Sequence, residues 1–114
     1  MNLAIKTRIM VGMAYGQVEA HQSAIRYGYW EKKRNMGEAI ALIHRDAAKA
    51  LEIITVGDGP SGKLTDVTRL EEALADVIIR CLDVAGGMDL RLGPAVISKL
   101  EYNEAMSKLA AREF

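Results

Sequence analysis

The stretch that decides the fold is residues 36–54, MGEAIALIHRDAAKALEII. Its apolar residues recur every three or four positions, which is the spacing of one face of an α-helix. Asn35 precedes the stretch and Glu38 lies three residues after Asn35, the pattern of a helix N-cap with its capping-box partner. We therefore predict a helix that starts after Asn35 and ends at Gly57. The predicted core-facing stripe consists of Met36, Ile40, Ile43, Ala47, Ala50 and Ile54.

Three further helices are predicted around this one. The proline-free segment from Leu3 to about Arg26 has loose helical spacing and predicts one long helix or a kinked pair. A third helix begins at Thr65 or Thr68 and ends at Gly86, and Pro94 fits the first turn of a fourth. Four helices with short or moderate connections predict an all-α four-helix bundle.

The composition agrees with a small helical domain. The 114 residues are 50% hydrophobic and 5% aromatic, and 15 basic residues balance 15 acidic ones. This length predicts a single domain, residues 1–114, and zero net charge gives no global field for binding nucleic acid or an anionic membrane. A lone cysteine, Cys81, cannot form an internal disulfide, and no apolar run approaches the roughly 20 residues that span a bilayer. We therefore expect a cytoplasmic protein with no membrane and no stable nucleic-acid partner.

Two other features favour turns and packing over chemistry. Residues 57–63, GDGPSGK, match the opening of a phosphate-binding loop, but Leu64 stands where that loop needs a hydroxyl for Mg²⁺, so we predict a turn. His21 and His44 lack partners at metal-ligand spacing, and Cys81 lies on an apolar stripe. Neither a histidine metal site nor a cysteine nucleophile is expected.

Three segments together carry a family resemblance: YGYWEKKRNMGEAIALIHRDAAKALE (27–52), ALADVIIRCLDVAGGMDL (73–90) and KLEYN (99–103). Over about residues 22–106 the chain resembles the MazG-like, all-α nucleoside triphosphate pyrophosphatase superfamily. The resemblance implies a helical bundle that assembles as a homodimer or homotetramer and binds a nucleotide between subunits. Active members of that superfamily release pyrophosphate and leave the monophosphate.

The resembled family holds Mg²⁺ with an E-x-x-E pair on one helix and an E-x-x-D pair on the next, because several carboxylate oxygens must converge on the ion. An ungapped match places at these positions, in order, Asp46, Lys49, Ala73 and Asp76. Arg45 occupies a further position that is often acidic. With two carboxylates lost and cations gained, the pocket is expected to favour a phosphate oxygen over Mg²⁺. Asp46 and Asp76, with Glu72 one turn before Asp76, remain as a weak or vestigial magnesium site.

This sequence retains the nucleotide-binding residues of the resembled family better than it retains the metal-binding ones. Lys99, Tyr102 and Asn103 match a K-x-x-Y-N motif, which supplies a cation, a ring and an amide. An aromatic at the entrance to the second helix would stack on a base. The predicted nucleotide contacts are Trp30, Arg45, Lys49, Lys99, Tyr102 and Asn103. Ordinary packing with a hydrogen-bonded polar tip is the alternative for Trp30 and Tyr102.

Three functions remain open on this sequence. The first is a MazG-like nucleotide-binding protein that holds or sequesters a nucleotide or a nucleotide-derived signal without efficient hydrolysis. The second is an active Mg²⁺-dependent pyrophosphohydrolase with a reshaped metal site, and the third is a structural helical bundle with a vestigial pocket. Mg²⁺-dependent release of pyrophosphate identifies the enzyme, and binding without turnover identifies the first function.

Overall fold

The computed structural model describes residues 1–112, which form four α-helices and no β-strand. The helices are α1 (Leu3–Arg26), α2 (Met36–Val56), α3 (Arg69–Gly87) and α4 (Leu92–Arg112). The predicted all-α class and the number of helices are therefore confirmed, and α1 is one continuous helix. Within this described part, no helix combines the length and the apolar character needed to cross a membrane.

Local side chains set where α2 and α3 begin. Asn35 is the N-cap of α2, and its Oδ1 accepts a hydrogen bond from the Glu38 amide at 3.1 Å. Thr68, not Thr65, caps α3: its hydroxyl accepts from the Glu71 amide at 3.1 Å, and the Glu71 carboxylate accepts from the Thr68 amide at 2.8 Å. Each cap satisfies backbone donors that the first turn of a helix leaves unpaired.

α3 is the central helix, because α1 and α2 both pack against it and α4 packs on α1. Most of the buried apolar residues are alanines, which let neighbouring helices approach closely. The buried apolar residues are Ala24, Ala39, Ala50, Ala73, Val84, Ala85 and Ile97. The core is therefore narrow, with few large side chains in it.

The predicted stripe of α2 is wrong at three positions. Ile40, Ala47 and Ile54 are exposed, and the fully buried residues of α2 are Ala39, Asp46 and Ala50. The reason is that α2 packs on a single neighbour, α3, so only one narrow strip of its surface is covered. The strip that is covered lies about 60°, a sixth of a turn, from the stripe that periodicity selects.

The four helices leave an unusually large surface. The radius of gyration is 16.9 Å, against about 13 Å for a compact domain of this length. The accessible area is 8521 Å², whereas a compact monomer of 12.5 kDa exposes about 6,200 Å². The surplus accessible area is about 2,300 Å² per chain. A standard protein–protein interface buries about 800 Å² on each partner, so the surplus exceeds one such interface.

Part of this surplus is an apolar face on one side of the α2–α3 pair. We call it the outer face; it consists of Ile40, Leu51, Ile54, Leu74 and Ile78, all of them exposed. Leu51 lies two residues after Lys49, and Leu74 and Ile78 lie two residues on either side of Asp76. Two residues turn a helix by about 200°, so the outer face points away from Lys49 and Asp76.

Gly87 marks a close approach between α3 and the loop that carries Trp30. A methyl group at Gly87 would overlap the Trp30 ring, so Gly87→Ala should lower the free energy of unfolding by about 1–3 kcal/mol. Gly12 is the matched control, since a methyl group there meets nothing within 4 Å. Gly12→Ala should raise stability by about 0.5–1 kcal/mol because alanine favours a helix interior. Urea denaturation measures both, and a Gly87→Ala protein as stable as the parent would contradict this packing of Trp30.

Candidate ligand-binding site

A row of charged side chains runs along one face of α3. Arg69, Glu72, Asp76, Arg80 and Asp83 follow each other at steps of three or four residues, so they share one side of the helix. At 1.5 Å per residue the row is about 21 Å long. Partners from α1 and α2 meet this row, so it lies between the two helices that flank α3.

Asp83, at one end of the row, is buried and fully paired. It is 5% exposed, and its Oδ1 accepts from Trp30 Nε1 at 2.8 Å and lies 3.0 Å from His21 Nδ1. Arg34 donates from Nη1 to the other carboxylate oxygen at 2.7 Å, and its guanidinium lies 4.9 Å from the centre of the Trp30 ring. This cluster fastens α1 and the α1–α2 loop to α3.

A second buried carboxylate, Asp46, joins α2 to α3. It is 2% exposed, and Arg80 donates from Nε to its Oδ2. Arg45 lies on the other side, with Nη2 3.4 Å from Asp46 Oδ1. The Asp46 carboxylate is thus neutralised by arginine and faces the helix interface.

A cleft of about 270 Å³ opens between α2, α3 and the α2–α3 loop. We call it the lysine cleft; it is lined by Lys49, Ile53, Gly62, Lys63, Arg69, Glu72, Ala73 and Asp76. Three cationic side chains face two carboxylates, and one of these, Glu72, accepts a hydrogen bond from the Ser61 hydroxyl at 2.6 Å. Arg69 is held in place by donating to the Gly57 carbonyl at 2.7 Å. The cleft therefore carries a net positive charge.

The loop beside the cleft is a turn that uses its own amides. The Ser61 hydroxyl accepts from the Lys63 and Leu64 amides at 3.1 and 3.0 Å, and Asp58 Oδ1 accepts from the Gly59 amide at 2.8 Å. Desolvation acts to raise the pKa of the Asp58 carboxyl, but hydrogen bonds from backbone amides, that of Gly59 first, hold it below its ordinary value. A phosphate-binding loop presents free amides to its ligand. The anion-binding groups that line the cleft are its cationic side chains, Lys49, Lys63 and Arg69.

A second cavity, of about 200 Å³, lies farther along the same face of α3. We call it the tyrosine pocket, after Tyr27 and Tyr29, which follow the end of α1. Its polar lining residues are Ser23, Arg34, Asp76, Arg80 and Asp83. Asp76 lines both cavities, so the lysine cleft and the tyrosine pocket are neighbours on this face of α3.

The structure brings only part of the predicted site together. Lys49 and Asp76 share the lysine cleft, whereas Arg45 is half exposed beside Asp46. Trp30 packs against its neighbours, which was the alternative to stacking on a base. Its Nε1 donates to Asp83, and the centre of its ring lies 4.9 Å from the centre of the His21 ring in an edge-on contact.

The three residues of the K-x-x-Y-N motif lie on α4 and are separated from Lys49. Lys99 Nζ sits 4.8 Å from the centre of the Tyr102 ring, and Tyr102 and Asn103 are exposed. α4 packs on α1, whereas Lys49 lies on α2, which packs on α3. One chain by itself therefore does not place Lys99, Tyr102 and Asn103 at the lysine cleft.

No family model, curated protein or solved structure matches the chain. The MazG-like resemblance therefore rests on the three sequence segments quoted above. What the site can do is argued below from its geometry and charge.

The three carboxylates considered for Mg²⁺ do not fit that ion as they stand. Asp46 faces Arg80, Glu72 is bonded to Ser61, and Asp76 shares its cleft with the Lys49 ammonium. Within residues 1–112 no three His, Cys, Asp or Glu side chains converge as metal ligands. Octahedral Mg²⁺ needs oxygen ligands that converge at 2.0–2.1 Å.

Sequence reasoning missed several residues of this site. Arg80, Arg34 and Asp83 carry its buried ion pairs, and Tyr27 and Tyr29 form the wall of its second cavity. The helical spacing of polar residues on α3 is a signal for Arg80 and Asp83, but none points to Arg34, which lies in the α1–α2 loop. Cys81 is partly buried, and burial raises the pKa of its thiol, so it stays protonated at neutral pH.

Proposed function

We propose that this protein binds a nucleotide, or a nucleotide-derived ligand, by its phosphate groups in the lysine cleft and does not hydrolyse it efficiently. The observation that carries the proposal is the grouping of Lys49, Lys63 and Arg69 around one cleft. Charge-assisted hydrogen bonds from ammonium and guanidinium groups are the usual means of holding phosphate oxygens. The sequence resemblance to MazG-like proteins supports a nucleotide as the ligand.

The pairing of the carboxylates with cations supports ligand binding over ligand hydrolysis. Metal-assisted hydrolysis needs a cation that neutralises the phosphates and activates a water molecule. Asp46 is already paired with Arg80, and Lys49 supplies positive charge where a metal would otherwise sit. The ligand's phosphates are then neutralised directly by side chains and not by a metal that would also activate water.

We also infer that the protein self-associates through the outer face of α2 and α3. Ile54 is 67% exposed, Leu51 66% and Ile78 57%, and such large apolar patches mark interaction surfaces. A second copy is the occupant that fits, because the surplus area per chain exceeds a standard interface on each partner. The outer face points away from Lys49 and Asp76, so this contact leaves the lysine cleft open.

A homodimer or homotetramer also gives α4 a role. Because α4 is packed on α1 in its own chain, Lys99, Tyr102 and Asn103 would reach a nucleotide only on a neighbouring chain. A cytoplasmic location, without a membrane or nucleic-acid partner, belongs to the same proposal.

Thermal denaturation with a panel of ligands tests this function. A ligand that binds only the folded state raises stability by about 2.7 kcal/mol at 100 times its dissociation constant. We expect nucleoside triphosphates and inorganic triphosphate to raise the melting temperature, with no pyrophosphate released from nucleotides in the presence of Mg²⁺. Rapid Mg²⁺-dependent release would identify the pyrophosphohydrolase instead, and no shift with any ligand would identify a structural bundle.

Removing one cation from the cleft should weaken the binding of phosphate. Lys49→Ala should reduce the affinity for inorganic triphosphate by about 1.5–3 kcal/mol, the usual contribution of a hydrogen bond to a charged group. Lys33→Ala, in the exposed α1–α2 loop, removes the same charge at a distance and should change the affinity little. Isothermal titration calorimetry measures both, and an equal effect of the two variants would mean that Lys49 makes no contact with phosphate.

A further inference from the structure

We propose that the tyrosine pocket receives the base of the ligand whose phosphates occupy the lysine cleft, and that it selects guanine. This inference rests on the phosphate-binding function proposed above. It starts from Asp76, the one side chain that belongs to both cavities.

The two cavities have the sizes and the order that a nucleotide needs. They measure about 270 and 200 Å³, so each is smaller than the 300–1,000 Å³ of pockets that enclose a whole small-molecule ligand, and together they fall within that range. They follow each other along the 15 residues from Arg69 to Asp83, a length of about 21 Å. A ligand with a phosphate chain at one end and a ring at the other would fill both.

The wall of the tyrosine pocket suits a flat ring. Tyr27 is 76% exposed and Tyr29 is 53% exposed, so ring surface on both is open to a ligand. Aromatic side chains stack on any base, because every base has a π-face. Stacking therefore gives affinity but does not choose among the bases.

The polar groups of the tyrosine pocket distinguish one base from another. Arg34 uses Nη1 on Asp83, and Arg80 uses Nε on Asp46, which leaves further N–H groups on each guanidinium. Both arginine side chains line the tyrosine pocket, and each is held in place by the carboxylate to which it is bonded. The exposed Asp76 carboxylate adds two acceptor oxygens.

Guanine is the base that matches both kinds of group. It carries two adjacent donors, N1–H and the N2 amino group, for a carboxylate, and two adjacent acceptors, O6 and N7, for an arginine. Adenine and cytosine present a single amino group beside a ring nitrogen lone pair, which a carboxylate repels. Asp76 would thus attract guanine and repel adenine and cytosine, which is how specific sites discriminate.

Calorimetric titration of the full chain with four ligands, without Mg²⁺, tests the proposal. The ligands are inorganic triphosphate, GTP, ATP and CTP. We expect GTP to bind about 5- to 150-fold more tightly than ATP or CTP, the discrimination that one bidentate contact provides. Inorganic triphosphate should bind more weakly than GTP, because it fills only the lysine cleft.

The Asp76→Asn variant should change two affinities in opposite directions. Asparagine has an NH₂ donor in place of one of the two acceptor oxygens and cannot pair with both guanine donors side by side, so the preference for GTP over ATP should fall to about twofold or less. The same change removes a negative charge from the lysine cleft, so the affinity for inorganic triphosphate should stay equal or increase. Glu104→Gln removes a carboxylate from the exposed surface of α4 and should leave the preference for GTP intact.

Tyr27→Leu separates stacking from selection. It should weaken GTP and ATP by the same factor and leave inorganic triphosphate unchanged, whereas Tyr15→Leu, at a similarly exposed tyrosine outside the pocket, should have no effect. Equal affinity for GTP and ATP, or a preference for another base, would overturn the selection of guanine while leaving the phosphate site in place. If no ligand binds, inorganic triphosphate included, the proposed function itself fails.

Discussion

Replacing Asp83 by alanine should lower the free energy of unfolding by about 3–5 kcal/mol, the cost of breaking a buried ion pair from one side. Asp83 is 5% exposed, and Arg34, Trp30 and His21 all bond to its carboxylate. Without it, the Arg34 guanidinium, whose side chain is 11% exposed, keeps a largely buried charge with no counter-charge. Urea denaturation measures the loss.

Two controls define this prediction. Glu52→Ala removes an exposed carboxylate from α2 and should change stability by no more than about 0.5 kcal/mol. Asp83→Asn keeps the shape and part of the hydrogen bonding but loses the charge, so its stability should fall between that of the parent and that of the alanine variant. A loss below about 1 kcal/mol for Asp83→Ala would show that the cluster does not hold α1 to α3.

The double variant Ile54→Glu with Ile78→Glu should convert the protein to a monomer. Both side chains belong to the outer face, and burying two charges per chain in an interface costs far more than the contact gains. In sedimentation at micromolar concentration, we expect the parent to show no monomer and the double variant to show no oligomer.

The matched control places the same charges on another exposed apolar surface. Tyr15→Glu with Val18→Glu alters α1, where both side chains are exposed, and should leave the oligomer intact. If this pair dissociates the protein and the Ile54 and Ile78 pair does not, the interface lies on α1. A parent protein that sediments as a monomer would contradict self-association altogether.

The helices were predictable because their signals are local. Asn35, Thr68 and Gly57 act within one turn of the helix ends that they mark, and the structure uses all three there. The covered side of α2 was not predictable in this way. Periodicity selected the face with Ile40 and Ile54, but which face is covered depends on the single neighbour, α3, that the chain supplies.

The site was predictable only in part, for a similar reason. Lys49 and Asp76 were selected by matching short segments, and both line the lysine cleft. The cluster around Asp83 joins residues 49, 53 and 62 positions apart, and no local pattern pairs them. The pairing of Arg80 with Asp46 also lies outside local reasoning, because it spans 34 positions. Only the helical spacing of charged residues on α3 indicated that this face of the helix would form part of the site.

Titration calorimetry of inorganic triphosphate into the full chain, first in the presence of a chelator and then with excess Mg²⁺, tests the phosphate-binding claim most directly. Because Lys49, Lys63 and Arg69 supply the positive charge themselves, we predict saturable binding in the chelator that is at least as tight as binding with Mg²⁺. Binding that is absent in the chelator and appears only with Mg²⁺ would contradict the claim, because the carboxylates would then be holding a metal.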